Sequence, residues 1–297
     1  MLSLQAPAKV NLYLKVLDKR PDGYHNLHSL FQMVGLFDRL DFRETSEGIR
    51  LRVENSPLPA DDSNLVCRAA ALLQEEMAAQ NLPDKGVEIA LTKNIPIAAG
   101  LGGGSSDAAA TLIGLNRLWT LDWPRKRLAD LGARLGSDVP FFFYGPTAWV
   151  SGRGEEVDAV ATRLSGWIVL LHPDIPVSTA SVYAEYDKKI GKKIGLTKGR
   201  RPLKITAMDK ERPTVAARLE RPYNDLERVT LDAYPQLKEL KIKLKALGGE
   251  GVVMSGSGPS IFGLFRDHQK AKAAAEAIEK SEKIKSSVAA ILTQSPF

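Results

Sequence analysis

The chain of 297 residues is poor in the residues that staple or metallate small folds, with one cysteine, Cys67, and four histidines. A lone thiol excludes an intramolecular disulfide, and no Cys/His group has the spacing of a zinc site. Long apolar runs are missing as well. The strongest, WIVLL at 167–171, falls far short of the roughly 20 residues that span a bilayer, so it reads as a buried strand and no membrane partner is expected. Nothing at the N-terminus reads as a signal or transit peptide, because a patterned strand begins within the first ten residues. A cytoplasmic globular protein is the expectation.

Positive charge is concentrated. Residues 188–204, KKIGKKIGLTKGRRPLK, hold eight Lys/Arg and no acid, so the rest of the chain is slightly acidic although the formal net charge is +6. Such a run attracts polyanions. It has no interleaved aromatics on which bases would stack, so it reads as a solvated loop and no nucleic-acid partner is expected.

In KVNLYLKVL (9–17), Val10, Leu12, Leu14 and Val16 alternate with Lys9, Asn11, Tyr13 and Lys15. Period two predicts a strand with Lys9 and Asn11 on one face, away from the apolar one. Pro21 and Gly23 supply a turn, and further strands are predicted around 31–43, 49–53 and 87–91. A helix is predicted from Asn64, capped by Asp62 or Ser63. Helical spacing recurs at Ala108, Leu112 and Leu115, and at Leu128, Leu131 and Leu135 with a stop at Gly136. In the second half, helices are predicted near 179–187, 224–232, 235–247 and 268–280, and GVVMSGSGPSIFGLF (251–265) as two strands around a glycine turn. Two α+β halves meeting near residues 150–165 is the reading.

IPIAAGLGGGSSDAAATLIGLN (95–116) places Gly100, Gly102, Gly103 and Gly104 ahead of a helix. Glycines let backbone N–H groups approach an anion, and a helix N-terminus adds free amides and a positive dipole end. Ser105 or Ser106 would cap that helix, with Asp107 in its first turn. No Walker lysine follows the loop, and G-x-G-x-x-G is absent. From these glycines alone, an anion cradle and a structural bend stand about even.

PIAAGLGGGSSDAA resembles the phosphate-binding signature of the GHMP kinases, and PAKVNLYLKV and GSGPSIFGLF (256–265) stand where that family has further motifs. APAKVNLYLKVLDKRPDGYHNLHSLFQ (6–32), LGSDVPFF (135–142), PVSTASVY (176–183) and NDLE (224–227) resemble one group within it, the 4-diphosphocytidyl-2-C-methyl-D-erythritol kinases. The resemblance implies a two-domain GHMP kinase fold. Residues 1–158 would form a ribosomal S5 domain 2-like half and residues 159–297 a ferredoxin-like half, with the active site in the cleft between them. The last strand is left free to return towards the first half.

The implied activity is transfer of a phosphoryl group from ATP, with Mg2+, to a hydroxyl (the 2-hydroxyl) of a cytidine diphosphate-linked methylerythritol in the non-mevalonate route to isoprenoid precursors. Asp138 matches the general base and Lys9 its cationic partner, although Asp138 also suits a helix cap and Lys9 a solvated strand lysine. Pro96, Ala98, Ala99, Gly100, Leu101, Gly102, Gly103, Gly104, Ser105 and Ser106, with Asn64, match the ATP-binding set. Asn11, Tyr24, His25, Thr179 and Tyr183 match the substrate set, the aromatics sandwiching the pyrimidine. Ser106 aligns with a metal-binding serine of some relatives, but the glutamate that completes their shell has no counterpart here. Pro259 stands where a small residue is common, and the 188–204 stretch matches nothing in the family pattern. The competing readings are another GHMP small-molecule kinase, of homoserine or phosphomevalonate type, and a non-catalytic nucleotide- or nucleic-acid-binding relative. PDGYH with PVSTASVY speaks against the first, and the presence of both Lys9 and Asp138 against the second.

Overall fold

The computed structural model describes residues 1–161, 164–191 and 222–297. Most of the basic stretch, residues 192–204, lies outside the described residues. Its first two lysines are paired: Lys188 and Lys189 with Glu185, and Lys189 also with Asp232.

The first sheet is built on two long strands, β1 (Leu2–Lys19) and β2 (His25–Thr45), joined by the RPDG turn and paired antiparallel over most of their length. β3 (Ile49–Glu54) and β4 (Gly86–Thr92) pair in parallel across α1 (Leu65–Ala78), as a crossover helix requires. β5 (Thr147–Ser151) adds to β2, and β6 (Glu156–Ala159) adds to β5. The sequence pattern did not yield these two short strands. α2 (Gly103–Leu118), α3 (Arg125–Leu135) and the one-turn α4 (Phe141–Tyr144) lie with α1 over this sheet.

The second sheet runs β11 (Lys285–Ala290), β7 (Trp167–His172), β10 (Ile261–Phe265), β9 (Glu250–Met254), antiparallel throughout. α5 (Thr179–Tyr186) follows β7, and α6 (Glu227–Ala233), α7 (Pro235–Ala246) and α8 (His268–Glu282) complete the half. Alternation along β7 shows why the halves adhere. Ile168 and Leu170 enter a core shared with Val10, Leu12 and Leu30 of the first sheet, whereas Val169 and Leu171 pack under Leu240, Leu244 and Ile278. The order is helices, sheet, sheet, helices, with apolar side chains filling each gap.

The chain crosses between halves twice more. β8 (Tyr223–Asn224), within the segment expected to be helical from 224, pairs in parallel with β1 instead, and α6 starts three residues later. β11 stays in the second sheet, and the tail beyond it returns to the first: Ile291 bridges Val34, and Gln32 donates to the Leu292 carbonyl.

Two helix caps differ from expectation. The cap of α1 is Asn64, whose side chain accepts the Val66 amide at 3.0 Å, while Asp61 turns inward on Ser63. α2 starts at Gly103 behind Gly102, so Ser105 and Ser106 are within the helix and cap nothing. A left-handed glycine (φ 70°) begins the helix without a side-chain acceptor.

In the second sheet, His172 of β7 shares a hydrogen bond with Ser287 of β11, and its Nδ1 is buried without a partner. Burial disfavours the imidazolium and pushes its pKa down to about 4. The unfolded chain therefore binds a proton between pH 6.5 and 4 that the folded chain refuses, so stability falls as pH drops through that window. The expected loss is on the order of 2–3 kcal/mol in wild type, and a His172→Asn variant shows a flatter profile in denaturant titrations run at pH 7 and pH 4.5.

Candidate active site

The alternation read into β1 puts Lys9 and Asn11 on one face and Val10 and Leu12 on the other, and the structure buries both faces. A register shift between Pro7 and Ala8 breaks the pairing with β2. Beyond it, Ala8, Val10 and Leu12 face the second sheet, while Lys9 and Asn11 lie opposite Met33 and Phe31, which belong to the core under the helices. Both polar residues are consequently interior rather than on a solvated face, with Lys9 4% exposed and Asn11 2%. A buried ammonium needs partners. Lys9 Nζ donates to Asn11 Oδ1 at 2.8 Å, lies 3.4 Å from Asp138 Oδ2 and sits 4.6 Å above the Phe31 ring. Asn11 passes the chain on to Ser29 Oγ at 3.0 Å.

Asp138 follows α3 in the turn before α4, and it makes no capping bond to that helix. About a third of its side chain is exposed, which leaves the carboxylate open to the cleft beside Lys9.

The glycine loop passes directly over this pair. The Lys9 amide donates to the Leu101 carbonyl at 2.9 Å. A side chain at Gly102 would strike the Lys9 stem at 2.9 Å, and one at Gly100 would lie 2.3 Å from the Ser255 carbonyl oxygen, with φ at +75°. From the second half, the GSGPS turn meets the loop: Ser255 Oγ donates to the Gly100 carbonyl at 2.9 Å. Asn224 of the NDLE segment ties down that turn by donating to the Met254 and Gly256 carbonyls, and Asp225 accepts the Val16 amide of β1.

Beneath the loop lies a buried triad. Lys93 Nζ is bonded to Asp38 and, at 2.7 Å, to Asp107. Asp38 also accepts the Asn94 and Ile95 amides, so it is the better-served carboxylate of the two. Asp107 keeps one oxygen unpartnered, and burial together with the Asp38 charge pushes it up to about 8, against the pull of Lys93. The aspartate expected in the first helical turn thus fastens the helix to the strand end that leads into the loop.

Two hollows flank the loop and share Gly100 and Gly102. The smaller, about 350 Å3, is lined by Pro96, Ala98, Ala99, Gly100, Leu101, Gly102, Gly103, Gly104, Ser105 and Asn64. The first amides of α2 have no helical acceptor and are free for an anion. The Asn64 amide is occupied in its cap and in a bond to the Pro59 carbonyl, so Asn64 offers the hollow a wall more than a free donor. Ser106 is fully buried and does not line it.

The larger hollow, about 740 Å3, holds Lys9, Asn11, Asp138, Tyr24, His25, Thr179 and Tyr183. His25 and Tyr183 stack on each other with ring centroids 5.0 Å apart, so a base between that pair is excluded in this arrangement. Tyr24 is exposed, with the Arg153 guanidinium 5.3 Å from its ring. Burial and the Asp138 charge push the Tyr183 phenol above its usual range, keeping it neutral. Thr179 shares a hydrogen bond with Ser257 of the glycine turn. The reading of sequence missed Arg153, Lys19, Asp187 and Ser257, which line the same hollow. One signal was present: Tyr183 and Asp187 stand four apart, on one face of a helix.

The geometry describes an anion-binding loop set beside a Lys–Asp pair at the mouth of a larger cleft, as transfer of a phosphoryl group between two bound molecules requires. The model described as GHMP kinases N terminal domain matches residues 64–146, and that described as GHMP kinases C terminal matches residues 207–284, which sets the class. The 4-diphosphocytidyl-2-C-methyl-D-erythritol kinase of Moorella thermoacetica is 44% identical over 288 residues, covering 95% of this chain and 96% of that one. That of Geobacter sulfurreducens is 44% identical over 276 residues, 93% and 94% of the two chains. A crystal structure of a 4-(cytidine 5'-diphospho)-2C-methyl-D-erythritol kinase superposes with a TM-score of 0.78 at 36% identity, covering 98% of this chain and 99% of that one. At this identity over nearly the whole of both chains, the chain belongs to the 4-diphosphocytidyl-2-C-methyl-D-erythritol kinase family.

Two substitutions test the framework. Gly100→Ala places a methyl group into the Ser255 carbonyl at a backbone angle alanine disfavours, and is expected to cost about 2 kcal/mol or more in denaturant unfolding. Gly104→Ala meets only Leu65 at 3.4 Å and retains most of the stability. Lys93→Met leaves two carboxylates buried without their cation, and is expected to cost about 3–5 kcal/mol by the same measurement.

Proposed function

We propose that this protein phosphorylates a hydroxyl of 4-diphosphocytidyl-2-C-methyl-D-erythritol, the 2-hydroxyl, with ATP as donor, in the non-mevalonate route to isoprenoid precursors. The observation that carries this reading is the contact of buried Lys9 with Asp138 at the seam between the two hollows, 3.4 Å apart and directly beneath the glycine loop. Residues 1–158 form the nucleotide half and 159–297 complete the acceptor side.

In this reading the ATP phosphates lie on the amides that open α2, where glycines let the backbone close on the anion. The acceptor hydroxyl sits against Asp138. As its oxygen attacks the terminal phosphorus and ADP leaves, the hydroxyl proton passes to the carboxylate. Lys9 pairs with that carboxylate and offsets charge on the transferring oxygens from a site where water does not screen it. Asn11 holds the ammonium in place by taking one of its hydrogens.

The residues suit a magnesium ion that arrives on the phosphates better than a cage of protein ligands. Among the described residues no group of three His, Cys, Asp or Glu gathers to hold one. Mg2+ asks for few protein oxygens when phosphates and water supply the rest. Ser106 Oγ is buried beside the loop without a hydrogen-bond partner but does not line the hollow, so the residues present do not fit it as a ligand to the ion. When bound, magnesium neutralises phosphate charge.

The cytidine end is assigned to the wall of Tyr24, His25 and Tyr183, with Thr179 and Asn11 toward the methylerythritol. Arg153, beside Tyr24, supplies a cation for the diphosphate.

ADP release coupled to a spectrophotometric readout is expected with 4-diphosphocytidyl-2-C-methyl-D-erythritol and not with homoserine or phosphomevalonate. The opposite selectivity, or no ADP with any of the three, would overturn the assignment. Asp138→Ala is expected to lower kcat at least 100-fold while the melting temperature stays near wild type, and Lys9→Ala to lower it comparably. Near wild-type turnover in Asp138→Ala would remove that residue from the mechanism.

A further inference from the structure

Asp187, just past the end of α5, has no part in the reaction derived above, yet its carboxylate reaches into the wall of the larger hollow. It accepts two hydrogen bonds, from Lys19 Nζ on Oδ2 at 2.5 Å and with His25 Nε2 on Oδ1 at 2.7 Å. Burial pushes the Asp187 carboxyl up, but the hydrogen bonds from Lys19 and His25 outweigh it and hold the group below its usual range. His25 itself is 6% exposed and lies flat on Tyr183, with an interplanar angle of 22°. Its plane is therefore held by stacking and its rotation within that plane by Asp187.

An ionised carboxylate can only accept, so Nε2 of His25 carries a hydrogen. In a neutral imidazole the other nitrogen is then an acceptor. Nδ1 has no hydrogen bond of its own among the described residues, and His25 lines the hollow. The wall thus offers one fixed acceptor to whatever ring docks there.

We propose that Asp187 is a positioning residue that fixes His25 as its Nε2–H tautomer, and that the resulting Nδ1 acceptor selects a pyrimidine bearing an exocyclic amine over one bearing a carbonyl at the same place. This rests on the reading of the substrate as a cytidine diphosphate conjugate. Cytosine presents a donor where uracil presents an acceptor; the first pairs with Nδ1, and the second sets lone pair against lone pair. One such neutral contact, with its penalty for the mismatched partner, is worth about 10- to 100-fold in discrimination. Without the carboxylate, the imidazole can exchange tautomers and meet either base.

The test compares kcat/KM for the cytidine diphosphate-linked substrate and its uridine diphosphate-linked analogue, in wild type, Asp187→Ala and Asp187→Asn. Wild type is expected to prefer the cytidine form at least 10-fold. Asp187→Ala is expected to lose most of that preference, with the loss in KM for the cytidine form and not in kcat. Asp187→Asn, whose amide oxygen can still accept from Nε2, is expected to recover at least half of the preference on a logarithmic scale. An Asp187→Ala enzyme weakened equally toward both substrates would show a merely structural role and overturn the proposal.

Nitrogen-15 spectra of labelled histidine, with His25 assigned from a His25→Gln variant, report the tautomer without any substrate. They are expected to show Nδ1 unprotonated in wild type at pH 8 and a tautomer mixture in Asp187→Ala. An Nδ1–H form, or protons on both nitrogens, overturns the proposal whatever the substrate is. If instead the spectra come out as expected and neither conjugate is turned over, the failure lies with the substrate assignment.

Discussion

Two positions without side chains carry the architecture of the site. Gly100 lets the loop touch the Ser255 carbonyl of the second half, and Gly102 lets it rest on the stem of Lys9. Any Cβ at either place would lift the loop from β1 and part it from the GSGPS turn. With the contact made, the amide of Lys9 reaches the Leu101 carbonyl and its ammonium is left a short distance from Asp138. The anion cradle, the cation and the carboxylate are thus placed by one close approach of three backbone segments distant in sequence. The triad of Lys93, Asp38 and Asp107 fastens the two ends of the loop below, and Asn224 holds the turn that presses on it from above.

Much of this was legible in the sequence, and what was not has identifiable causes. Long periodic segments were found where they stand, because burial of one face dictates their pattern: β1, β4, β7, α2 and α7 are examples. The surroundings of β1 were not legible because period two shows which residues share a face and not what packs on it, and here the helices cover one face and the second sheet the other. Lys9 and Asn11 share one face, as read, but that face is buried and not simply away from apolar groups. The start of α2 was misplaced. A left-handed glycine initiated the helix, so the serines that looked like caps became interior.

The motifs carried more than the periodicities did. PDGYH, GSDVP and PVSTASVY, three separate stretches, converge on one cleft, and the resemblance that joined them is matched by relatives alike over nearly their whole length. Residues outside such motifs stayed hidden. Arg153 follows a strand too short to show a pattern, and Lys19 becomes a neighbour of His25 only through the β1–β2 hairpin register. The buried triad was invisible for a related reason: a lysine at a strand end and an aspartate in a helix announce no partnership until the chain folds. Asp187 shares a helix face with Tyr183, but its link to Lys19 is likewise a product of the hairpin.

The double crossing of the chain between its halves has a mechanical consequence. β8 is sewn into the first sheet beside β1, the tail after β11 is sewn onto β2, and the two sheets share one apolar core. Swinging the halves apart would break ladder hydrogen bonds and expose that core to water. A ligand therefore enters through adjustments of side chains and the short segments at the rim. Much of the entropic cost of assembling the site is met when the chain folds, and little of it is left for the moment a ligand arrives.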